Sequence, residues 1–477
     1  MSKTYRPYEP TQSFLLPPSP LDWLPEGHLS RFVLDTVSEL DLTAIYAYYE
    51  REARGYPPHH PRMMVALLLY AYCVGLPSSR KIEKRTYEDV AFRVLAGNTH
   101  PDHSRISEFR RIHLPALSLL FVQVLKLCQK MGMVKLGHVA LDGTKMKANA
   151  SKHKAMSYER MKQDEDRLQK EVAELMRQAE AADAAEDLEH GKGRRGDEIP
   201  EELHRREDRL ARIRACKAEL LAEAAQQAEA QKAQDQEEAQ VTAALSEMDN
   251  IRAAHSDDGD DDEPPAPPCN VNPEPMPEHQ VPTRSDGTPT EKAQRNFTDP
   301  QSRIMKTGDG FVQGYNAQAV VDEAHQIIVA VDVSNQSPDA EHFIPMLDRT
   351  IKNCGAVPEK LSADTGYFSA ANVQRASCRG VDAYVAIKRA KHGAKEPEET
   401  VARDDSAKEQ MRAKLQTEEG AQVYSRRKVI VEPGFGQIKN RGFRGFLLRG
   451  IEKVRGEWSL ITLTHNLLKL HRVCVAA

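Results

Sequence analysis

The sequence predicts an α/β protein. A mixed five-stranded sheet with flanking helices follows an all-helical region and is interrupted by a helical, coiled-coil-like insertion. Apolar residues recur with helical spacing up to about residue 133. Beyond residue 303, short apolar runs that end at acids or turn residues alternate with helical patterns. An Ala-, Glu-, Gln- and Arg-rich stretch with a narrow apolar seam separates the two regions.

Residues 1–135 are predicted to form a helical, DNA-binding domain. The run 61–74 is apolar and begins with proline, as expected of a buried helix, and Asp102 is a candidate N-cap for a basic helix. Basic residues recur along these helices, among them Arg80, Lys84, Arg105 and Arg110. This grouping is compatible with a helix-turn-helix that contacts DNA, and also with a role in dimerisation or in structure alone.

Residues 136–154 contain the first predicted strand, and residues 155–300 the insertion. Leucine and other apolar residues at 4–3 spacing occur on both sides of a Gly-rich turn at 191–196. They predict two antiparallel helices. Residues 256–292 are rich in Asp and Pro and predict a flexible acidic linker.

Residues 301–477 are predicted to supply the remaining strands and basic C-terminal helices. The first strand covers 138–144, and the other four cover 311–321, 326–334, 360–367 and 382–388. The tail is predicted to become helical at about Pro433.

Charge is distributed unevenly along the 477 residues, although the net charge is only −5. Residues 1–135 hold 17 Lys+Arg and 13 Asp+Glu (+4), residues 152–263 hold 18 and 31 (−13), and residues 424–477 hold 11 and 3 (+8). The basic ends favour a polyanionic partner. Seven Cys without CxxC spacing argue against a disulfide scaffold and for a reducing cytoplasm, and no apolar run is long enough to predict a membrane span.

Three acids are candidates for chemistry. Asp142 and Asp364 end predicted strands, and Glu432 precedes the predicted C-terminal helix. Three gathered carboxylates would repel by about 4 kcal/mol per pair at about 4 Å, so they would need cations, and oxygen ligands suit Mg²⁺ or Mn²⁺. Two such ions support phosphoryl displacement. The alternative for each acid is a turn or a helix cap.

Four segments carry a resemblance to a known family. They are VALDGTKMKANAS (139–151), QGYNAQAVVD (313–322), LSADTGYFS (361–369) and YSRRKVIVEPGFGQIKNRGFRGFLLRG (424–450). Together they resemble a DDE transposase of a bacterial insertion sequence, of the insertion-sequence eleven-eighty-two type within the group of insertion sequences four and five. Segment 61–130 resembles that group's N-terminal domain.

The resemblance implies a ribonuclease-H-like catalytic core in which Asp142, Asp364 and Glu432 are the catalytic, metal-binding acids. Glu432 and Lys439 keep the spacing of the family's Tyr-Arg-Glu-Lys signature. Lys428 takes its Arg position and Ser425 its Tyr position. Tyr424 and Arg427 keep their own spacing but are displaced by one residue.

The expected function is therefore metal-dependent 3′-end cleavage at terminal inverted repeats and strand transfer into target DNA, with two Mg²⁺ or Mn²⁺ ions. The expected partners are double-stranded DNA and a second copy of the chain, in a bacterial cytoplasm near the nucleoid. The alternatives are a metal-dependent nuclease that does not join strands and an inactive DNA-binding relative. Candidate DNA contacts beside the acids are Lys145, Arg427, Lys428, Lys439, Arg441 and Arg444.

Overall fold

Six α-helices precede the first strand in a computed structural model that describes residues 19–51, 57–190, 201–253, 272–308, 310–387 and 402–476. The helices are α1 (Leu29–Glu39), α2 (Thr43–Tyr49), α3 (Pro61–Cys73), α4 (Ser79–Glu88), α5 (Val90–Leu95), α6 (His103–Lys130), α7 (Tyr158–His190), α8 (Glu201–Ala253), α9 (Phe343–Cys354), α10 (Ala370–Ser377), α11 (Ala402–Gln416), α12 (Glu418–Asn440) and α13 (Ile451–Ala476). The strands are β1 (His138–Lys147), β2 (Ala155–Ser157), β3 (Gln294–Asn296), β4 (Arg303–Thr307), β5 (Gly310–Asp322), β6 (Ile328–Ser334), β7 (Lys360–Ala363) and β8 (Asp382–Val385).

The main sheet is mixed, and β1 lies at its centre. β5 pairs antiparallel with one edge of β1, while β7 pairs parallel with the other edge and continues to β8. The long β5 also pairs with β4 through its first residues and with β6 through its later residues. Helices flank this sheet, in keeping with the mixed sheet and flanking helices expected from the sequence.

The sheet has six strands in the described part of the chain, so the predicted count of five was wrong. The missed strand is β4. Its alternation is inverted, because Arg303 is buried while Ile304 is exposed. A pattern search for apolar residues on one face therefore does not recognise it.

The N-terminal helices do not have a hydrophobic core of their own. One continuous core joins residues of α1, α3 and α6 to the strands of the main sheet. The connection runs through α13, which packs against α3 and α6 on one side and against β6 on the other. The helices predicted within 1–135 are present in its described residues, 19–51 and 57–135, but they share one core with the main sheet.

Helix α6 is the one described helix that is long and apolar enough to cross a membrane. Its apolar side lies in the protein core, and it also buries the polar side chains of Arg110 and His113. These contacts are those of a core helix in a globular protein.

The insertion is a pair of antiparallel helices, as predicted. Tyr158 at the start of α7 packs near Leu220 and Ala224 of α8, and Leu168 packs near Leu210. The short strands β2 and β3 pair at the base of the helices.

The second half of the predicted acidic linker lies against the body. Met276 is buried in the main core, the backbone N–H of His279 donates to Asn335 Oδ1 at 2.7 Å, and Ser334 Oγ donates to the Pro277 carbonyl at 2.6 Å. The prediction of a flexible linker over 256–292 was therefore wrong for 272–292, whereas 254–271 lie outside the described residues. Composition misled here because the buried Met276 is embedded among prolines and acids.

Helix α12 begins at Glu418, so the prediction that the helix begins at Pro433 was also wrong. A proline inside a helix leaves the carbonyl four residues earlier without its N–H donor. That carbonyl belongs to Val429, and it accepts a hydrogen bond from Gln326 Nε2 at 2.9 Å. A side chain from the β5–β6 turn thus replaces the lost helical bond.

Candidate active site

Asp142 and Asp364 lie side by side on neighbouring parallel strands. In the β1–β7 pairing, Leu141 is opposite Ala363, and the two acids are the next residues on their strands. Neighbouring strands are about 4.8 Å apart, so side chains at matched positions are adjacent. The predicted convergence of these two acids agrees with this register.

Asp142 lies in the middle of β1, although the Asp-Gly pair had predicted the end of a strand. Gly143 does not form a turn; it allows β5 side chains to pack closely against the β1 backbone. A Cβ at this position would lie 2.4 Å from Gln318 Nε2 and 3.0 Å from Asn316 Oδ1 of β5. The strand therefore continues to Lys147 and carries Asp142 on a rigid, fully paired segment.

Asp364 follows the last residue of β7 and caps the short helix Thr365–Tyr367. Its Oδ1 accepts a hydrogen bond from the Gly366 N–H at 2.8 Å. The alternative interpretation of this acid as a cap is thus correct locally, but the cap uses one oxygen and leaves the other available.

Arg427 of α12 is the cation that contacts Asp142. Its Nη1 lies 3.3 Å from Asp142 Oδ2, its side chain is only 8% exposed, and its guanidinium lies 5.9 Å from the Tyr424 ring centre. The side chain that was predicted as a DNA contact is therefore buried against the acid. Arg427, and not Lys428, reaches the acid.

Burial raises the pKa of Asp142 to about 6, and the neighbouring charge of Asp364 acts in the same direction. The hydrogen bond from the Gly143 N–H and the charge of Arg427 oppose that rise only in part. Without a cation, the ionised form of Asp142 is therefore unfavourable in this position.

The metal-free protein is expected to lose stability as pH rises from about 4 to about 6. In this window the folded state holds a proton on Asp142 that the unfolded state has released, so the free energy of unfolding falls with rising pH. A pKa that is higher by about two in the folded state lowers the free energy of unfolding by about 3 kcal/mol across this window.

Denaturant unfolding in the presence of a chelator measures this effect. The quantity compared at each pH is the free energy of unfolding of wild type minus that of Asp142→Asn. Titrations common to both proteins cancel in that difference. A difference that does not change between pH about 4 and about 7 would contradict the pKa assigned to Asp142.

Helix α12 covers the face of β1 that carries Asp142. Alternate residues of a strand share a face. Accordingly, Arg427 contacts Asp142, and Lys439 Nζ donates to Thr144 Oγ1 at 2.9 Å. The packing of α12 rests on buried side chains such as Ile430, Val431, Phe435 and Ile438.

Glu432 lies on α12 between the two residues that reach β1. It shares a side of the helix with Lys439, two turns later, as predicted for a continuous helix. Glu432 is exposed and forms no hydrogen bond or ion pair with the described residues. Within the same residues, no three His, Cys, Asp or Glu side chains are gathered closely enough to hold a metal.

The opposite face of β1 holds a polar network around Asp339. Lys145 Nζ donates to Asp339 Oδ1 at 3.0 Å and to the Ser337 carbonyl at 2.9 Å, while Asn316 and Gln318 donate to the same carboxylate oxygen at 2.6 and 3.1 Å. Lys145, predicted to contact DNA beside Asp142, is thus held by Asp339 in this structure. Adjacent strand residues point to opposite faces, and Lys145 forms an internal ion pair.

Asp339 is a residue that the sequence analysis missed. Burial raises its pKa, but the nearby His342, the charge of Lys145 and the hydrogen bond from Asn316 outweigh burial and hold that pKa well below its usual range. The network continues through Gln318, whose Oε1 accepts from the buried Tyr367 hydroxyl. Tyr367 lies three residues after Asp364, so this network supports the loop that carries the second acid.

The remaining predicted DNA contacts divide into exposed and buried side chains. Exposed residues are Arg80, Lys84, Arg105, Lys428, Lys439 and Arg444. Arg110 was wrongly predicted, because it is 6% exposed and its Nη1 donates to the Pro77 carbonyl at 2.6 Å and to the Tyr72 hydroxyl at 3.1 Å. Arg441 does not lie beside the acids, because it faces α13 and donates to Thr464 Oγ1 at 3.3 Å.

Two family models match the chain. Residues 279–467 match the family described as "Transposase DDE domain". The chain carries a transposase DDE domain. Residues 19–111 match the family described as "Transposase domain (DUF772)". The chain has no match among curated proteins or among solved structures.

The matched segments bear differently on the three acids. Asp364 and Glu432 lie within the part that matches the transposase DDE domain, whereas Asp142 lies outside both matches. For Asp142 the support is geometric. Its strand is the central strand of the sheet that the matched segment builds, and its position is beside Asp364.

Proposed function

We propose that this protein is a transposase of a bacterial insertion sequence, of the eleven-eighty-two type. It would bind the element's terminal inverted repeats, cut the 3′ ends and join them to target DNA. The observation that carries the proposal is the adjacent pair Asp142 and Asp364 on β1 and β7, in a sheet assembled mainly from a transposase DDE domain.

The donor set fits a hard divalent cation. Asp142 and Asp364 offer carboxylate oxygens, and the raised pKa of Asp142 reflects a buried site that a cation would relieve. Glu432 would be the third ligand, from α12, and its carboxylate has no competing partner among the described residues. Two Mg²⁺ or Mn²⁺ ions would supply the activation of water and the stabilisation of charge at the phosphate.

The chain's own residues position the acids and the DNA. Arg427 fixes the orientation of Asp142 from its buried place on α12. Lys428, Lys439 and Arg444 are exposed, and Lys439 contacts Thr144 two residues after Asp142. These cations bind phosphates of the cleaved strand. Arg80, Lys84 and Arg105 on the N-terminal helices contact the terminal repeats.

Transposition also needs two DNA ends in one complex. The protein therefore acts as at least a dimer on DNA, in the cytoplasm at the nucleoid. The dimer brings one catalytic site to each end. The same site then presents the released 3′-hydroxyl to target DNA, so no covalent intermediate with the protein is required.

A strand-transfer assay tests this function. Duplexes containing the sequences that flank the gene are incubated with the protein, Mg²⁺ and a plasmid target. We expect 3′-end cleavage followed by products in which the ends are joined to the plasmid. Cleavage without joining would assign a nuclease, and binding without cleavage would assign an inactive relative, so either result overturns the proposal.

A further inference from the structure

A basic groove runs between α12 and α13 on the side away from the acids. Two adjoining cavities of about 410 and 170 Å³ form it, and both are lined by Lys469 and Arg472 of α13. Arg426 lies in the larger cavity and Arg441 in the smaller one. We call this the α12–α13 groove.

The groove lies on a different side of α12 from the candidate active site. At about 100° per residue, Arg426 and Arg441 are roughly 120° to 180° around the helix from Glu432 and Lys439. A ligand in the groove therefore contacts a surface that the three acids do not share.

Three of its four cations lack a carboxylate partner in the described part of the chain. Arg441 donates only to Thr464 Oγ1, and its Nε and Nη2 are buried without a hydrogen-bond partner. Lys469 donates to the amide oxygen of Gln326 at 2.8 Å, and Arg472 forms no ion pair among the described residues. Arg426, the fourth, pairs with Glu323.

The three unpaired cations also affect each other. Burial lowers the pKa of Lys469, and the charge of Arg472 lowers it further. Burial lowers the pKa of Arg441 too, and Arg472 again contributes. Like charges held together at a partly buried place are unfavourable unless an anion neutralises them.

The shape of the cluster favours a linear polyanion over a small anion. The groove extends from Arg426 to Arg441, which is about 22 Å along the axis of α12. That length matches about six base pairs of duplex DNA, in which phosphates recur along each strand. The exposed Val429 in the larger cavity shows that this end of the groove is open.

We propose that the α12–α13 groove binds the phosphodiester backbone of duplex DNA through Lys469 and Arg472, with the buried charge of Arg441 behind them. This inference rests on the proposed function for the identity of the polyanion. The groove contacts a stretch of duplex other than the scissile phosphate, which meets Lys428 and Lys439 on the other side of α12. Contact of this kind is independent of base sequence.

DNA binding by the groove can be tested with a short duplex of arbitrary sequence. Its affinity is measured by fluorescence anisotropy at several salt concentrations, with chelator present. The double variant Lys469→Gln/Arg472→Gln removes two phosphate contacts. We expect the slope of log K against log salt to become less negative by about 1.8, and affinity at about 0.1 M salt to fall on the order of tenfold or more.

The matched control is Lys352→Gln/Lys453→Gln. It removes the same charge from two exposed positions that line neither cavity. It is expected to keep the wild-type slope. Thermal unfolding of all three proteins checks that the substitutions leave the fold intact.

Lysine acetylation of the wild-type protein with and without duplex provides a second measurement. Duplex is expected to protect Lys469 and to leave Lys352 equally reactive. The proposal that the groove binds DNA is overturned if the double variant keeps the wild-type slope of log K against log salt, or if duplex leaves Lys469 unprotected. Because no cleavage is involved, either result leaves the transposase proposal standing, whereas failed strand transfer overturns that proposal without altering these measurements.

Discussion

Asp142→Asn is expected to abolish metal-dependent cleavage while DNA binding survives. The substitution removes a ligand charge from the centre of the sheet and keeps the shape of the side chain. Gly143 and Arg427 donate to different oxygens of Asp142, so the single amide oxygen of asparagine keeps one of these two hydrogen bonds. The pairing of β1 with β5 and β7 still holds the strand in place. Loss of a charge that holds a catalytic cation is expected to lower the cleavage rate by at least about 100-fold.

The measurement is single-turnover cleavage of an end-containing duplex in Mg²⁺, together with anisotropy of the same duplex in chelator. Asp382→Asn is a matched control, because it makes the same change on β8 of the same sheet at an exposed acid paired with Lys414. It is expected to cleave within about threefold of wild type, in line with the small effects of exposed sites. A cleaving Asp142→Asn protein would remove Asp142 from the site.

Stability measurements distinguish a loss of catalysis in Asp142→Asn from a loss of the folded state. In the metal-free protein, burial disfavours the Asp142 carboxylate, so Asp142→Asn should be at least as stable as wild type near pH 7. An inactive variant with undiminished stability places the defect in chemistry. An inactive variant that is also unfolded would contradict the electrostatic account of this residue.

The two strand acids could be predicted from sequence because each ends or interrupts a short apolar run. Their adjacency follows from the parallel pairing of β1 with β7, which the alternation of strands and helices favours. The position of Asp142 within its strand could not be predicted. The Asp-Gly pair is typical of a turn, and only the cross-strand contact with Gln318 shows why glycine is needed at 143.

Residues on α12 were harder to place, because a shift of one position along a helix turns the side chain by about 100° around the axis. Spacing assigns Lys428 to the family's Arg position, yet Arg427 is the side chain that reaches Asp142. The proline at 433 also suggested a helix start. The hydrogen bond from Gln326 to the Val429 carbonyl, which allows the helix to continue, is a tertiary contact without a local signal.

Arg110 and Asp339 show the same limit for charged residues. A basic run on a helix does not reveal which member faces the core, and Arg110 is the one that fixes the loop after α3. Asp339 follows a strand with Ser and Pro nearby, as a turn residue does. Its three donors come from β1 and β5, more than 20 positions away in each case.

Glu432→Gln is expected to abolish cleavage and strand transfer, whereas Glu418→Gln and Glu419→Gln stay near wild type. Each change removes one carboxylate charge from α12 and keeps the side-chain length. Glu418 and Glu419 lie in the first turn of the helix, about 21 Å from Glu432 along its axis. Glu419 pairs with Lys360 at 2.8 Å, at the start of β7 and away from Asp364 at its end.

Glu432 differs from these two acids in what anchors the backbone beneath it. Ile430 and Val431 are buried before it, Phe435 stacks on Trp458 after it, and Arg427 and Lys439 tie both flanks of the helix to β1. A ligand on such a segment has a fixed backbone position. Misplacing that ligand costs on the order of 100-fold in rate.

Cleavage and strand-transfer rates of the three variants in Mg²⁺ decide the assignment, with duplex affinity in chelator as a check on folding. Binding isotherms of Mn²⁺ add a readout that does not depend on turnover, since loss of Glu432 should weaken metal binding while Glu418→Gln leaves it unchanged. An active Glu432→Gln protein would mean that the third ligand comes from another acid. In that case the exposed carboxylate on α12 has no role at the metal, and the alignment of Glu432 and Lys439 with the family signature is wrong.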